Sequence, residues 1–130
     1  MKLQFVDNEP KYYEFIRLLR THPDNVSGFI NQSNITEREQ TRYMGDNHQF
    51  FKICLCDEEP VGFIGVIDND IRIATKPEYK KMGIGKFMVN EMSKLYPNAL
   101  AKIKMDNKYS IKLFESCGFK IEYLIMKKCQ

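Results

Sequence analysis

The sequence predicts an α/β fold, a single domain in which a mostly antiparallel sheet is flanked by helices. Three observations predict it. Two β-rich runs, His48–Cys56 and Val61–Ile67, flank Asp57-Glu58-Glu59-Pro60, and a tight Asp68-Asn69-Asp70 turn returns the chain to a third alternating run, Ile71–Thr75. A glycine-bearing loop, Lys80–Lys86, then passes at once into an apolar pattern of helical spacing at Phe87, Met88, Met92 and Leu95. Finally, 130 residues with 43% hydrophobic content suffice for a real core and are too few for two domains, so residues 1–130 are expected to form one.

In chain order, Lys2–Val6 alternates polar and apolar residues and should be a first strand. Pro10 suits the start of a helix, and Tyr13, Ile16, Leu18 and Leu19 supply an apolar stripe ending near Thr21, where His22-Pro23-Asp24-Asn25 breaks it. Thr36-Glu37-Arg38-Glu39 is a capping box, opening a short helix that should run to about Met44 and stop at Gly45-Asp46-Asn47. Pro77 closes the central strand, because proline has no N–H to give a sheet ladder. After the helix, Leu100–Met105 should return as a strand parallel to Ile71–Thr75. Phe119, Ile121, Tyr123 and Ile125 alternate like one last strand.

Composition excludes several classes of function. The net charge is only +3 with acids and bases both abundant, and the basic cluster Lys76, Lys80, Lys81 and Lys86 lacks interleaved stacking aromatics, so nucleic acid is not the expected partner. No apolar run approaches a membrane span, and Met1–Phe5 has no signal-peptide core. Cys54, Cys56, Cys117 and Cys129 form no CxxC pair and have no histidine pattern beside them, so no metal is expected. They read as reduced thiols in a cytoplasmic protein, with Cys54 and Cys56 on one strand face as core filler.

The glycine loop reads as an anion site. A helix start offers unpaired N–H groups and a positive dipole end, glycine admits a phosphate to the backbone, and Lys80, Lys81 and Lys86 add charge. GxxxxGK[ST] is absent because Gly83 and Gly85 are one residue apart and Phe87 follows Lys86. GxGxxG also fails, with Met88 at the third glycine position. A solvated strand-to-helix turn satisfies the same spacing.

A family resemblance separates these readings. Lys80-Lys81-Met82-Gly83-Ile84-Gly85 resembles the acetyl-CoA signature [RQ]xxGx[GA] of the GNAT N-acetyltransferase family, with Lys in place of Arg or Gln, and Thr75-Lys76-Pro77 resembles its V-x-P strand end. Asn107–Phe119 resembles the family's NxxAxxLYxxxGF block, with Ser110 for Ala and Phe114 for Tyr. The resemblance implies the acyltransferase fold, whose central strands splay apart around acetyl-CoA. It implies that the backbone of Ile73, Ala74 and Thr75 pairs with the pantetheine amides. It also implies that the loop from Lys80 through Lys81, Met82, Gly83, Ile84 and Gly85 to Lys86 holds the pyrophosphate, and that Asn107 contacts the cofactor.

The acceptor would be a primary amine of a small molecule. Leu19–Asp24 with Ile35-Thr36 and Glu39 resembles the RNHP…IT…E pattern of members that acetylate nucleotide-linked amino sugars. Alternatives are a protein N-terminus, a lysine, or a non-catalytic acyl-CoA-binding module. An amine must lose a proton to attack the thioester, yet the family's tyrosine acid matches Phe114 and the fifth-strand glutamate of some members falls on Lys102. A CoA thiolate leaves with little help, since thiols titrate at about pH 8.5. His22, His48, Asp106 and Tyr109 are the candidates for proton transfer. Lys102 and Lys104, on one strand face, are candidates for binding an anionic substrate. Members usually carry two strands after the second block, so the single alternating run here should either pair with a second subunit, giving a homodimer, or bend into two short strands.

Overall fold

The computed structural model of the protein describes residues 1–26 and 35–129. Its centre is a four-stranded antiparallel sheet in the order β1-β2-β3-β4, formed by Leu3–Asp7, Phe51–Cys56, Glu59–Ile67 and Asp70–Thr75. Both hairpins turn through two residues of positive φ, Asp57 and Glu58 at 50° and 70°, then Asp68 and Asn69 at 52° and 64°. That geometry matches the right-handed twist of the strands it joins.

Helices cover both faces. On one side lie α1 (Tyr13–Thr21), the one-turn α2 (Pro23–Val26) and α3 (Glu37–Asn47); on the other lies α4 (Ile84–Leu95), with α5 (Lys108–Ser116) against it. Ile16, Leu19 and Met44 pack on Phe51, Ile53, Phe63 and Ala74. The opposite core joins Ile84, Met88, Val89, Met92 and Phe114 to Cys54, Cys56, Ile64 and Val66. Cys54 and Cys56 do share a face there, and burial pushes the Cys54 thiol up to about 12, which leaves it a packing group.

Gly65 faces Arg72 across the β3–β4 ladder and leaves room for an aromatic ring: a Cβ there would sit 2.5 Å from Phe51 Cδ1. Phe51 in turn stacks at 6.0 Å from Phe63 and edge-on to Tyr43 at 6.2 Å.

Several expectations shift. Leu18 points away from the α1 core and is 54% exposed, because it stands one position off the stripe of Ile16 and Leu19. The His22–Asn25 break contains a helical turn of its own, with Asn25 Nδ2 donating to the Leu19 carbonyl at 3.2 Å. α3 continues through Gly45-Asp46-Asn47 rather than stopping at Met44, and His48–Phe50 forms a 3-10 turn, so β2 begins at Phe51. Buried Met44 anchors that last turn, and tertiary packing overrides the weak helix preference of Gly45. α4 starts at Ile84, three residues before Phe87.

Two strands do not form. Leu100–Met105 contributes one parallel bridge, Asp70 to Leu100, and residues 119–129 contribute no strand. Ile121, Tyr123, Leu124, Ile125 and Met126 are 72–88% exposed.

The capping box of α3 is present in both halves: Glu39 N–H donates to Thr36 Oγ1 at 3.1 Å, and Thr36 N–H to Glu39 Oε1 at 3.3 Å. Thr36→Ala should therefore lower stability by about 1 kcal/mol in urea unfolding, with an unchanged m-value.

Candidate functional site

One cleft of 610 Å³ opens where β4 parts from the segment after α4. The parting has a fixed end. Ile71 N–H donates to the Leu100 carbonyl at 2.9 Å and Leu100 N–H to the Asn69 carbonyl at 2.7 Å, and beyond this point Ala101, Lys102 and Ile103 form the far wall. Alternation along a strand then fixes what β4 presents. Lys76 N–H bonds the Val61 carbonyl on the β3 side, whereas Ile71 bonds away from β3. The backbone groups of Ile73 and Thr75 therefore point into the opening and those of Arg72 and Ala74 towards β3. Thr75 O receives one bond, from Asn25 Nδ2 at 3.5 Å. Ala74 borders the cleft without offering it backbone groups.

The glycine loop adjoins the same opening. Gly83 caps α4 at φ 85°, and Lys81 precedes it at φ 66°. Both take the left-handed conformation that folds the loop back over the helix start. No side chain caps α4, so its first N–H groups are offered outward. Ile84 and Gly85 are buried while Met82 and Lys86 are exposed. Gly85 is there for packing: a Cβ would meet Leu113 Cδ2 of α5 at 3.0 Å. The Tyr109 hydroxyl accepts from Lys81 N–H at 3.4 Å, and the Lys80 ammonium lies 5.9 Å from the Tyr109 ring centre while donating to the Asp24 carbonyl at 3.4 Å. Asn107 caps α5 by accepting from Ser110 N–H at 3.2 Å and borders the cleft.

Besides Ile73, Ala74 and Thr75, the cleft collects Lys80, Lys81, Lys102, Asp106, Asn107 and Tyr109 among the residues expected from sequence. His22 and His48 lie elsewhere. His22 Nδ1 accepts from Asp24 N–H at 3.1 Å, and His48 is an exposed residue at the end of α3. Lys102 and Lys104 are not on a strand, and only Lys102 lines the cleft. Phe114 is buried, edge-on to Phe119 at 5.1 Å, and offers no proton.

Sequence reasoning missed Arg72 and Asp70 as cleft residues, and it quoted Arg20 and Asp24 only within a motif. A signal for Arg72 exists: it shares strand parity with core residue Ala74, an unusual place for a guanidinium. Among the described residues no group of three His, Cys, Asp or Glu is placed to hold a metal ion, and no helix is long and apolar enough to cross a membrane.

The model of the acetyltransferase (GNAT) family matches residues 11–119. The chain matches no curated protein. Among solved structures it resembles spermidine N-acetyltransferase from Vibrio cholerae, solved with CoA and spermine, at 16% identity and TM-score 0.79, covering 93% of this chain and 82% of that one. It also resembles yncA of Salmonella typhimurium, solved with acetyl-CoA, at 12% identity and TM-score 0.80, over 93% and 81%. A third likeness is a domain from Methanocaldococcus jannaschii, at 23% identity and TM-score 0.79, over 92% and 88%.

Proposed function

The chain belongs to the GNAT acetyltransferase family, and from that premise we propose that residues 1–130 are one N-acetyltransferase domain moving the acetyl group of acetyl-CoA to a primary amine of a small molecule. The observation that carries this is the splay at β4. Ile73 and Thr75 turn their backbone groups into the opening, with Asn25 Nδ2 on the Thr75 carbonyl, beside a glycine loop whose helix start has no side-chain cap among the described residues. A pantetheine arm has amides spaced to add to such an edge, and a pyrophosphate suits the loop. Lys80, Lys81 and Lys86 supply its counter-charge, and Tyr109 holds the Lys81 peptide in place.

In this reading the amine nitrogen attacks the thioester carbonyl carbon, the C–S bond breaks, CoA leaves as thiolate, and the nitrogen gives up its proton. Asp106 and Tyr109 are the sequence-expected proton acceptors that border the cleft. A cytoplasmic site of action fits the four unpaired cysteines. A structural relative is a spermidine N-acetyltransferase solved with CoA and spermine, which supports a small-molecule acceptor, as does the cleft volume, which lies within the range of small-ligand pockets.

The test is acetyl-CoA consumption, read as released CoA, over amino sugars, their nucleotide conjugates, polyamines, amino acids and peptides, with calorimetric CoA binding alongside. Turnover on a small amine supports the reading. CoA binding with no turnover on any acceptor would instead indicate a binding module, and turnover confined to peptides a protein acetyltransferase.

We further propose that a second copy of the chain covers the exposed run Ile121–Met126. Five large apolar side chains standing in water form a patch of the kind that marks an interface. Sedimentation should show a dimer at micromolar concentration that dissociates when Ile121, Tyr123 and Ile125 are changed to Ser. A monomer at every concentration would remove this proposal.

A further inference from the structure

Arg20 and Arg72 enter the cleft from different elements, α1 and β4, and both are half-buried. Tyr43 of α3 links them. Arg72 Nη1 donates to the Tyr43 hydroxyl at 3.2 Å, and the Arg20 guanidinium carbon lies 6.0 Å from the centre of the Tyr43 ring. Neither arginine has a carboxylate partner among the described residues, where the ion pairs belong to Lys11, Arg17, Lys52 and Lys94. Residues 27–34 read SGFINQSN and so hold no carboxylate to supply.

Two like charges drawn out of water without a counter-charge are unfavourable. Burial pushes the Arg20 guanidinium below its ordinary value; the Tyr43 phenol opposes the shift and the neighbouring Arg72 charge adds to it. The cleft carboxylates Asp24, Asp70 and Asp106 form no ion pair with either guanidinium. Guanidinium forks match the planar, doubly accepting geometry of oxyanions better than any other side chain.

We propose that Arg20 and Arg72 form an oxyanion subsite, so that the acceptor is a primary amine carrying a carboxylate or phosphate elsewhere in the molecule. This rests on the acetyl-CoA reading for its placement. Arg72 immediately precedes Ile73, where the pantetheine arm would pair, and a strand advances only about 3.3 Å per residue. An anion held by Arg72 thus keeps its amine within reach of the thioester, and Lys102 adds positive charge from the opposite wall.

Matched ligands test it. Protein saturated with CoA, which occupies the phosphate loop, is titrated calorimetrically with glucosamine against glucosamine 6-phosphate and with phenethylamine against phenylalanine. The oxyanion-bearing member of at least one pair should bind about 10- to 100-fold more tightly than the member that lacks the group, and the responding pair distinguishes phosphate from carboxylate. In Arg20→Met and Arg72→Met the preference should fall to within about twofold, and Arg72→Lys, which keeps the charge and loses the fork, should restore part of it. Melting curves and CoA affinity show that each variant is folded. No preference in either pair, or a preference that survives both methionine variants, overturns the subsite. Failure of CoA itself to bind would refute the cofactor reading instead, and the same titrations on the ligand-free protein would still decide the anion site.

Discussion

Gly83→Val should weaken acetyl-CoA binding by about 100-fold or more, equivalent to about 2.7 kcal/mol, while the protein still folds. The obstacle is conformational rather than steric. A Cβ at Gly83 would meet nothing within 4 Å, but φ is 85°, and a β-branched side chain held there costs about 1–3 kcal/mol. The loop can relieve that cost by rotating its peptides, which turns the N–H groups of the α4 start away from a diphosphate. Gly85→Val should fail differently. Its side chain collides with Leu113, so it should lower the melting temperature as well as the affinity, by prising α5 from α4. Calorimetric CoA titration of both variants, with melting curves, reads the two effects separately, and unchanged affinity in Gly83→Val would sink the phosphate-loop assignment.

Phe51→Ala should be the most destabilising single change in the sheet, costing about 3–5 kcal/mol. The ring is 1% exposed, touches Phe63 and Tyr43, and occupies the space that Gly65 leaves open. For a chain of this size the melting temperature should fall by roughly 10–20 °C. The converse substitution, Gly65→Val, drives a side chain into the same ring and should cost about 1–3 kcal/mol by overpacking. Because Phe51 also borders the cleft, the Gly65 variant should disturb acceptor binding before CoA binding. A Phe51→Ala protein melting within about 3 °C of the parent would show that the ring is not a core element.

Local signals were legible where physics is local. The capping box of Thr36 and Glu39, the β-rich runs of β2 and β3, the alternation of β4 and the glycine loop were all readable, because each is decided by neighbours within a few residues. The fifth strand was not. Leu100–Met105 has strand composition, but whether it pairs depends on how far it diverges from β4 after one bridge. The last run, with Ile121, Tyr123 and Ile125, alternates as a strand should and yet has no partner among the described residues. At the site, the loop lysines announced themselves by clustering. Arg20 and Arg72 are 52 positions apart in sequence, and only the packing of α1 and α3 against β4 brings both to Tyr43.

The divergence of β4 from Leu100 also writes a pattern onto one strand. Arg72 and Ala74 have backbones turned to β3, while the amides of Ile73 and Thr75 turn away from it towards the cleft. Hydrogen–deuterium exchange of the ligand-free protein should therefore alternate residue by residue, slow at 72 and 74 and fast at 73 and 75, along this edge strand of the sheet. A molecule that lies along that edge becomes a temporary strand. Its arrival should erase the alternation, so that occupancy of the site can be followed at two backbone amides without any chemistry taking place.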